Sequence, residues 1–85
     1  MRFQAKLHVM LKRDVADVQG NAIQQSLAHH KEPVIEVKTG KYFEIEVEAE
    51  SEAEARELVD RLAKDVFSNP VIEVSWYDLE AVSPT

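Results

Sequence analysis

The sequence predicts an α+β sandwich in the order β-α-β-β-α-β, with a four-stranded antiparallel sheet and two helices on one of its faces. Three observations carry that reading. Strict two-residue alternation marks the first and third strands, and an apolar stripe at helical spacing marks the second helix. The pentapeptide PVIEV occurs twice, beginning at Pro33 and again at Pro70, 37 positions apart. The repeat reads as a duplicated β-α-β unit, because each copy follows a helix with a proline stop and a β-branched run that must lie against the sheet.

The first strand shows Phe3, Ala5, Leu7, Val9 and Leu11 at every second position, with Arg2, Gln4, Lys6, His8, Met10 and Lys12 between them. One face of it is therefore buried. From Asp14 to His30 the apolar residues Val15, Ala22, Ile23 and Leu27 fall at roughly helical spacing behind Asp17, whose carboxylate is placed to cap a first turn. Pro33 forbids continuation of that helix, so Val34 to Thr39 is expected as a second strand, with Gly40 making a tight turn into the third. In the third strand Phe43, Ile45, Val47 and Ala49 alternate with Glu44, Glu46, Glu48 and Glu50. Ser51 and Glu54 have capping-box spacing, and Ala55, Leu58, Val59, Leu62 and Val66 form one apolar stripe on the helix they open. Asn69 is expected to end that helix in the left-handed conformation and Pro70 to prevent its continuation. Val71 to Leu79 follows as the fourth strand, and the closing residues from about 80 to 85 read as a frayed end.

This order is that of a ferredoxin-like sandwich, and the 85 residues allow one domain, 1–85. A chain of this length buries only about 60 to 65% of its unfolded surface, so association with another copy is expected to support the core. With no cysteine there is neither disulfide nor thiolate, and the alternating N-terminal residues make neither a signal peptide nor a membrane span. The cytoplasm is the expected compartment. A net charge of −6, with no basic cluster between exposed aromatics, argues against nucleic acid as a partner. On the sheet face that no helix covers, Arg2, Lys6, His8 and Lys12 of the first strand lie across from Glu44, Glu46 and Glu48 of the third, as a self-neutralising solvated face or a polar subunit interface.

The residues that carry chemistry elsewhere are poorly placed here. His29 and His30 are adjacent and point about 100° apart on a helix, so they do not chelate one ion, and His8 lies on another element. The glutamates from Glu44 to Glu57 are explained by strand alternation and cap positions. Ser51 is a cap with no base near it in sequence, and two distant glycines make no phosphate loop. No catalytic residue, cofactor site or metal site is expected in this chain. Trp76 and Tyr77 fall on opposite faces of the last strand, where one of them is a candidate anchor for a protein contact, with core packing as the equal alternative.

Three stretches in order, LKRDVADVQGNAIQQSL, VKTGKYFEIEVEAESEAEAREL and NPVIEVSWYDLE, resemble the small subunit (PurS) family of phosphoribosylformylglycinamidine synthase. The matching positions are Asp17, Gln19, Gly20, Gly40, Lys41, Tyr42, Asn69, Pro70, Val71, Ile72 and Glu73. Val18 stands where that family usually has proline, and Asp14 where it often has glycine. The resemblance implies a non-catalytic, dimeric subunit of purine biosynthesis that joins a glutaminase subunit to the large synthetase subunit. ATP and magnesium are then bound by the large subunit. Gln19, Lys41 and Tyr42 are the candidate partner contacts, since neither core packing nor capping requires them. Asp17, Gly20, Gly40, Ser51, Asn69 and Pro70 are read as structural turn and cap residues. A rival from another class is an ACT-type amino-acid sensor, which shares the element order, although the glycine usual before its first helix has no counterpart and Gly20 sits a turn later. A free-standing dimeric adaptor is the third reading.

Overall fold

The computed structural model describes residues 1–82. Five elements appear in chain order: β1 (Arg2–Leu11), α1 (Val18–His29), β2 (Gly40–Glu48), α2 (Glu52–Leu62) and β3 (Glu73–Val82). β1 is the central strand of an antiparallel sheet of order β2-β1-β3, with Leu7 opposite both Phe43 and Tyr77. Its alternation sends Phe3, Ala5, Leu7 and Val9 inward, and all four are buried. α2 lays Ala55 and Val59 on that face, with Ile45, Tyr77 and Leu79 packing around them, while Phe43 packs against Leu7, Val9 and Ala63. Ser51 Oγ accepts from Glu54 N at 3.2 Å and opens α2, while the Glu54 carboxylate accepts from Glu50 N at 3.1 Å, one residue before the position a reciprocal capping box would use. The Tyr77 hydroxyl donates to Asp60 Oδ1 at 2.7 Å and ties α2 to β3. Partial burial and that bond hold its phenol above the usual range.

The end of α2 departs from the expected stripe. The helix continues into a π-helical segment, Ala63–Phe67, which the Ser68 hydroxyl closes by donating to the Ala63 carbonyl at 2.6 Å. The wider turn re-phases the helix, so Ala63 and Phe67 face the core and Val66 is left exposed. Asn69 does not end the helix in the left-handed region, because the only non-glycine residue with positive φ among the described residues is Lys31, just after α1. Asn69 instead builds a turn around Pro70. Its Oδ1 accepts from Val71 N, and its carbonyl accepts from Ile72 N and Glu73 N. β3 consequently begins two residues later than expected and runs through Ala81 and Val82, which pair with Phe3 and Arg2. Of the expected frayed end, residues 83–85 lie outside the described residues.

The larger correction concerns the expected second strand and the expected turn at Gly40. Residues 32–39 pair with no strand among the described residues, so the sheet has three strands and the two PVIEV copies are not equivalent. Gly40 makes no turn. It is the first residue of β2, its φ is not positive, and it sits opposite Met10. A Cβ there would lie 2.5 Å from the Val9 carbonyl and 2.1 Å from Met10 Sδ, so close approach of β1 is what requires glycine. The chain thus enters β2 from beyond the end of β1. α1 and this approach segment form an arm: Gly20 is the only buried residue of α1, while Val18 is 78% and Ile35 92% exposed. Of the two helices only α2 covers the sheet. The radius of gyration, 16.7 Å, exceeds the about 12 Å of a compact chain of this length, and the molecule measures 52 × 31 × 14 Å.

Candidate functional site

The root of the arm is held by one carboxylate. Asp17 caps α1 by accepting from Gly20 N at 2.8 Å, and it also accepts from Thr39 N at 2.6 Å and from Thr39 Oγ1 at 2.7 Å. The start of the helix and the entrance to β2 are clasped together in this way. Gln24 Oε1 adds a bond from Val37 N at 3.2 Å, and the absence of a side chain at Gly20 lets the Val37 carbonyl come within 2.6 Å of where a Cβ would stand. The clasp therefore needs aspartate at 17 and glycine at 20 together.

Three donated hydrogen bonds favour the charged form of Asp17, with the Thr39 backbone contributing most, and its pKa is lowered from 3.8. A depressed carboxylate stabilises the fold fully above its unfolded pKa, and that stability is lost as pH falls through the folded value. The difference in urea midpoint between the parent and Asp17→Asn is expected to be widest near neutrality and to shrink as pH falls below about 4. A difference that stays constant between about pH 6 and pH 3 would show that the charge of Asp17 contributes nothing.

Beside the clasp lies a shallow cavity of about 200 Å³, floored by Val9 and Leu11 on the helix side of the sheet and walled by Gln19, Gly40, Lys41 and Glu73. Lys41 Nζ stands 3.5 Å from Glu73 Oε2, whose side chain is only 10% exposed. The other oxygen of Glu73 accepts from Asn69 N at 2.7 Å. Glu73 thus links the Asn69 turn to the start of β2, a role that spacing alone did not reveal.

Of the candidate contacts, Gln19 and Lys41 share this cavity, while Tyr42 points to the opposite sheet face beside His8. Lys41 and Tyr42 lie within a strand, where alternation sends them to opposite faces, and not beside the tight turn expected at Gly40. Ser51 belongs to the far end of β2, and Pro70 is exposed in its turn. A wider depression of about 740 Å³ lies along α2, lined by Glu48, Glu54, Glu57 and Asp60 with Arg61 and Lys64, and none of the candidate contacts reaches it. Among the described residues no three histidine, aspartate or glutamate side chains converge as metal ligands, and no helix is long and apolar enough to cross a membrane.

The residues gathered around the clasp and cavity, Asp17, Gln19, Gly20, Gly40, Lys41, Asn69 and Glu73, come from all three stretches of the resemblance. The family model of PurS, phosphoribosylformylglycinamidine (FGAM) synthase, matches residues 4–81. The chain belongs to the PurS family. It is 35% identical over 81 residues to the PurS subunit of phosphoribosylformylglycinamidine synthase from Bacillus subtilis (strain 168), covering 94% of this chain and 95% of that one. Thermus thermophilus PurS superposes with a TM-score of 0.85 at 36% identity, covering 98% of this chain and all of that one. PurLQS from Thermotoga maritima includes a chain with a TM-score of 0.85 at 30% identity, covering 94% of this chain and 99% of that one. The long arm and three-stranded sheet are thus compatible with solved PurS folds, and membership does not favour the ACT-type reading.

Proposed function

We propose that this chain is the non-catalytic small subunit of phosphoribosylformylglycinamidine synthase, working in the cytoplasm in purine biosynthesis. It joins the glutaminase subunit to the large ATP-dependent synthetase subunit, so that ammonia released from glutamine reaches the synthetase site. ATP and magnesium belong to the large subunit. The observation that carries this reading is the family match over residues 4–81, together with the likeness to a chain of the PurLQS complex. Mixing the glutaminase and synthetase subunits with and without this chain tests it. Omitting the chain is expected to abolish glutamine-dependent product while leaving free ammonia usable. Undiminished glutamine-dependent turnover without the chain would refute the role.

The chain acts as a homodimer or higher assembly in this reading. In support, the arm exposes Val18, Ile23, Val34 and Ile35, and the body exposes Val66 in the π-helical segment and Val71 and Ile72 just before β3. Apolar surface on both parts of so small a chain favours burial against a second copy.

Lys41 and Tyr42 are the proposed partner contacts, with Gln19 beside Lys41 at the cavity. Replacing Lys41 and Tyr42 together by alanine is expected to cost about 1 kcal/mol of folding stability, set by the lost pair to Glu73, because both side chains are at least half exposed. Loss of an anchor of about 2 kcal/mol weakens assembly roughly thirtyfold. Co-elution with the two larger subunits, and activity at limiting concentration, measure the effect. Parental behaviour in both would remove these residues from the contact.

A further inference from the structure

The sheet face turned away from α2 carries two chemically different halves. At one end Tyr42, His8 and Trp76 stand in a single row across β2, β1 and β3. His8 stacks on Trp76 with centroids 5.2 Å apart and planes 13° from parallel, and Tyr42 tilts against His8 at 5.1 Å. Tyr42 is 50% and Trp76 51% exposed, so the row presents ring surface to solvent. In the next rows Lys6 lies between Glu44 and Asp78, Gln4 between Glu46 and Glu80, and Arg2 beside Glu48. The ion pairs within 4.0 Å among the described residues are Lys38 with Glu36, Lys41 with Glu73 and Arg56 with Glu52, and none of them lies on this face. The expected self-neutralisation is therefore incomplete: the rows from Arg2 to Lys6 hold five carboxylates against two cations with no ion pair within 4.0 Å, and Lys12 lies past the end of β1, beyond the aromatic row.

We propose that this face is a docking platform for an arginine-bearing segment of one of the larger synthase subunits. The inference rests on the assembly role above and names the chemistry of the contact. A guanidinium is planar and weakly hydrated, so it stacks on an exposed indole while its N–H groups reach a carboxylate. Asp78 follows Trp76 on the same face two residues along β3, a step of about 7 Å, and Glu44 follows Tyr42 in the same way on β2. Charge selects this occupant over others. Nucleic acid and other phosphates are repelled by the carboxylate rows, a purely apolar helix leaves those rows unmatched, and a second copy laid face to face meets its own excess of negative charge.

Trp76 is the sole tryptophan of the chain, which makes the platform directly observable. The chain labelled with 5-fluorotryptophan is titrated with the unlabelled larger subunits and followed by 19F NMR, in parallel with affinity measurements on Trp76→Ala, the double variant Glu44→Lys with Asp78→Lys, and Glu57→Lys on the exposed side of α2. The 19F resonance is expected to shift on assembly. Trp76→Ala and the double variant are expected to weaken assembly at least about tenfold, and Glu57→Lys less than about twofold, with the mass of the chain alone unchanged in all three. A resonance that does not move while the parent chain co-elutes overturns the platform and leaves the assembly role standing, as do variants that bind like the parent. Loss of self-association in the variants assigns the face to a second copy and also overturns it. Failure of the parent chain to bind either larger subunit overturns the assembly role, and the platform with it.

Discussion

Leu7→Ala is expected to leave a large fraction of the chain unfolded under conditions where the parent is folded. Leu7 is fully buried at the middle of the central strand, flanked in register by Phe43 and Tyr77 and packed with Val9 and Ala63. Truncating a buried leucine costs about 2 to 5 kcal/mol, because transfer free energy is lost and the strand cannot collapse into the space left behind. A domain of this size has roughly 4 to 13 kcal/mol of stability in total. Urea unfolding followed by circular dichroism, at one fixed protein concentration because association adds to apparent stability, is expected to show a large fall in midpoint. Ile35→Ala, almost fully exposed on the arm, is the matched control, with a change within about 0.5 kcal/mol in the unassociated chain. Equal effects at the two positions would mean that the β1 row is not the core.

The second large effect is expected from Gly20→Ala, where two physical rules oppose each other. In an exposed helix this change stabilises by about 1 kcal/mol through propensity alone. At this position the new Cβ would stand 2.6 Å from the Val37 carbonyl oxygen, a backbone atom, and 2.6 Å from Asp17 Oδ2. Separating α1 from the approach to β2 breaks the clasp, and overpacking of this kind costs about 1 to 3 kcal/mol. The variant is therefore expected to be less stable than the parent, with faster hydrogen exchange at the amides of Val37 and Thr39, which bond to Gln24 and Asp17. A more stable variant with unchanged exchange would show that the arm moves freely away from α1.

Local signals were the legible ones. The alternation of β1 and β2, the Ser51 cap and the stripe through Ala55 and Val59 depend on neighbours a few residues apart, and each is found where its pattern places it. Asp17 was legible as a cap, but its second grip on Thr39, 22 residues away, was not. Likewise Glu73 carried no local sign that it would join Lys41 to the Asn69 turn. Val66 was misplaced because a π turn adds a residue without any composition signal, and Gly40 because a glycine needed for close approach looks in sequence like a glycine needed for a turn.

What the sequence by itself determined is therefore the set of periodic elements, the α+β class, the identity of the buried row on β1 and, through three motifs in register, the PurS family. The tertiary structure decided the rest. A β-branched run becomes a strand only when an edge accepts its hydrogen bonds, and β2 and β3 occupy both sides of β1. The first PVIEV runs into β2 through Gly40 without a hairpin turn, so it is not folded back onto the open outer edge of β2 and projects as an arm, whereas Glu73 and Val74 of the second begin β3. The same letters thus have two fates, because strand pairing is a property of the space around a segment and not of the segment alone.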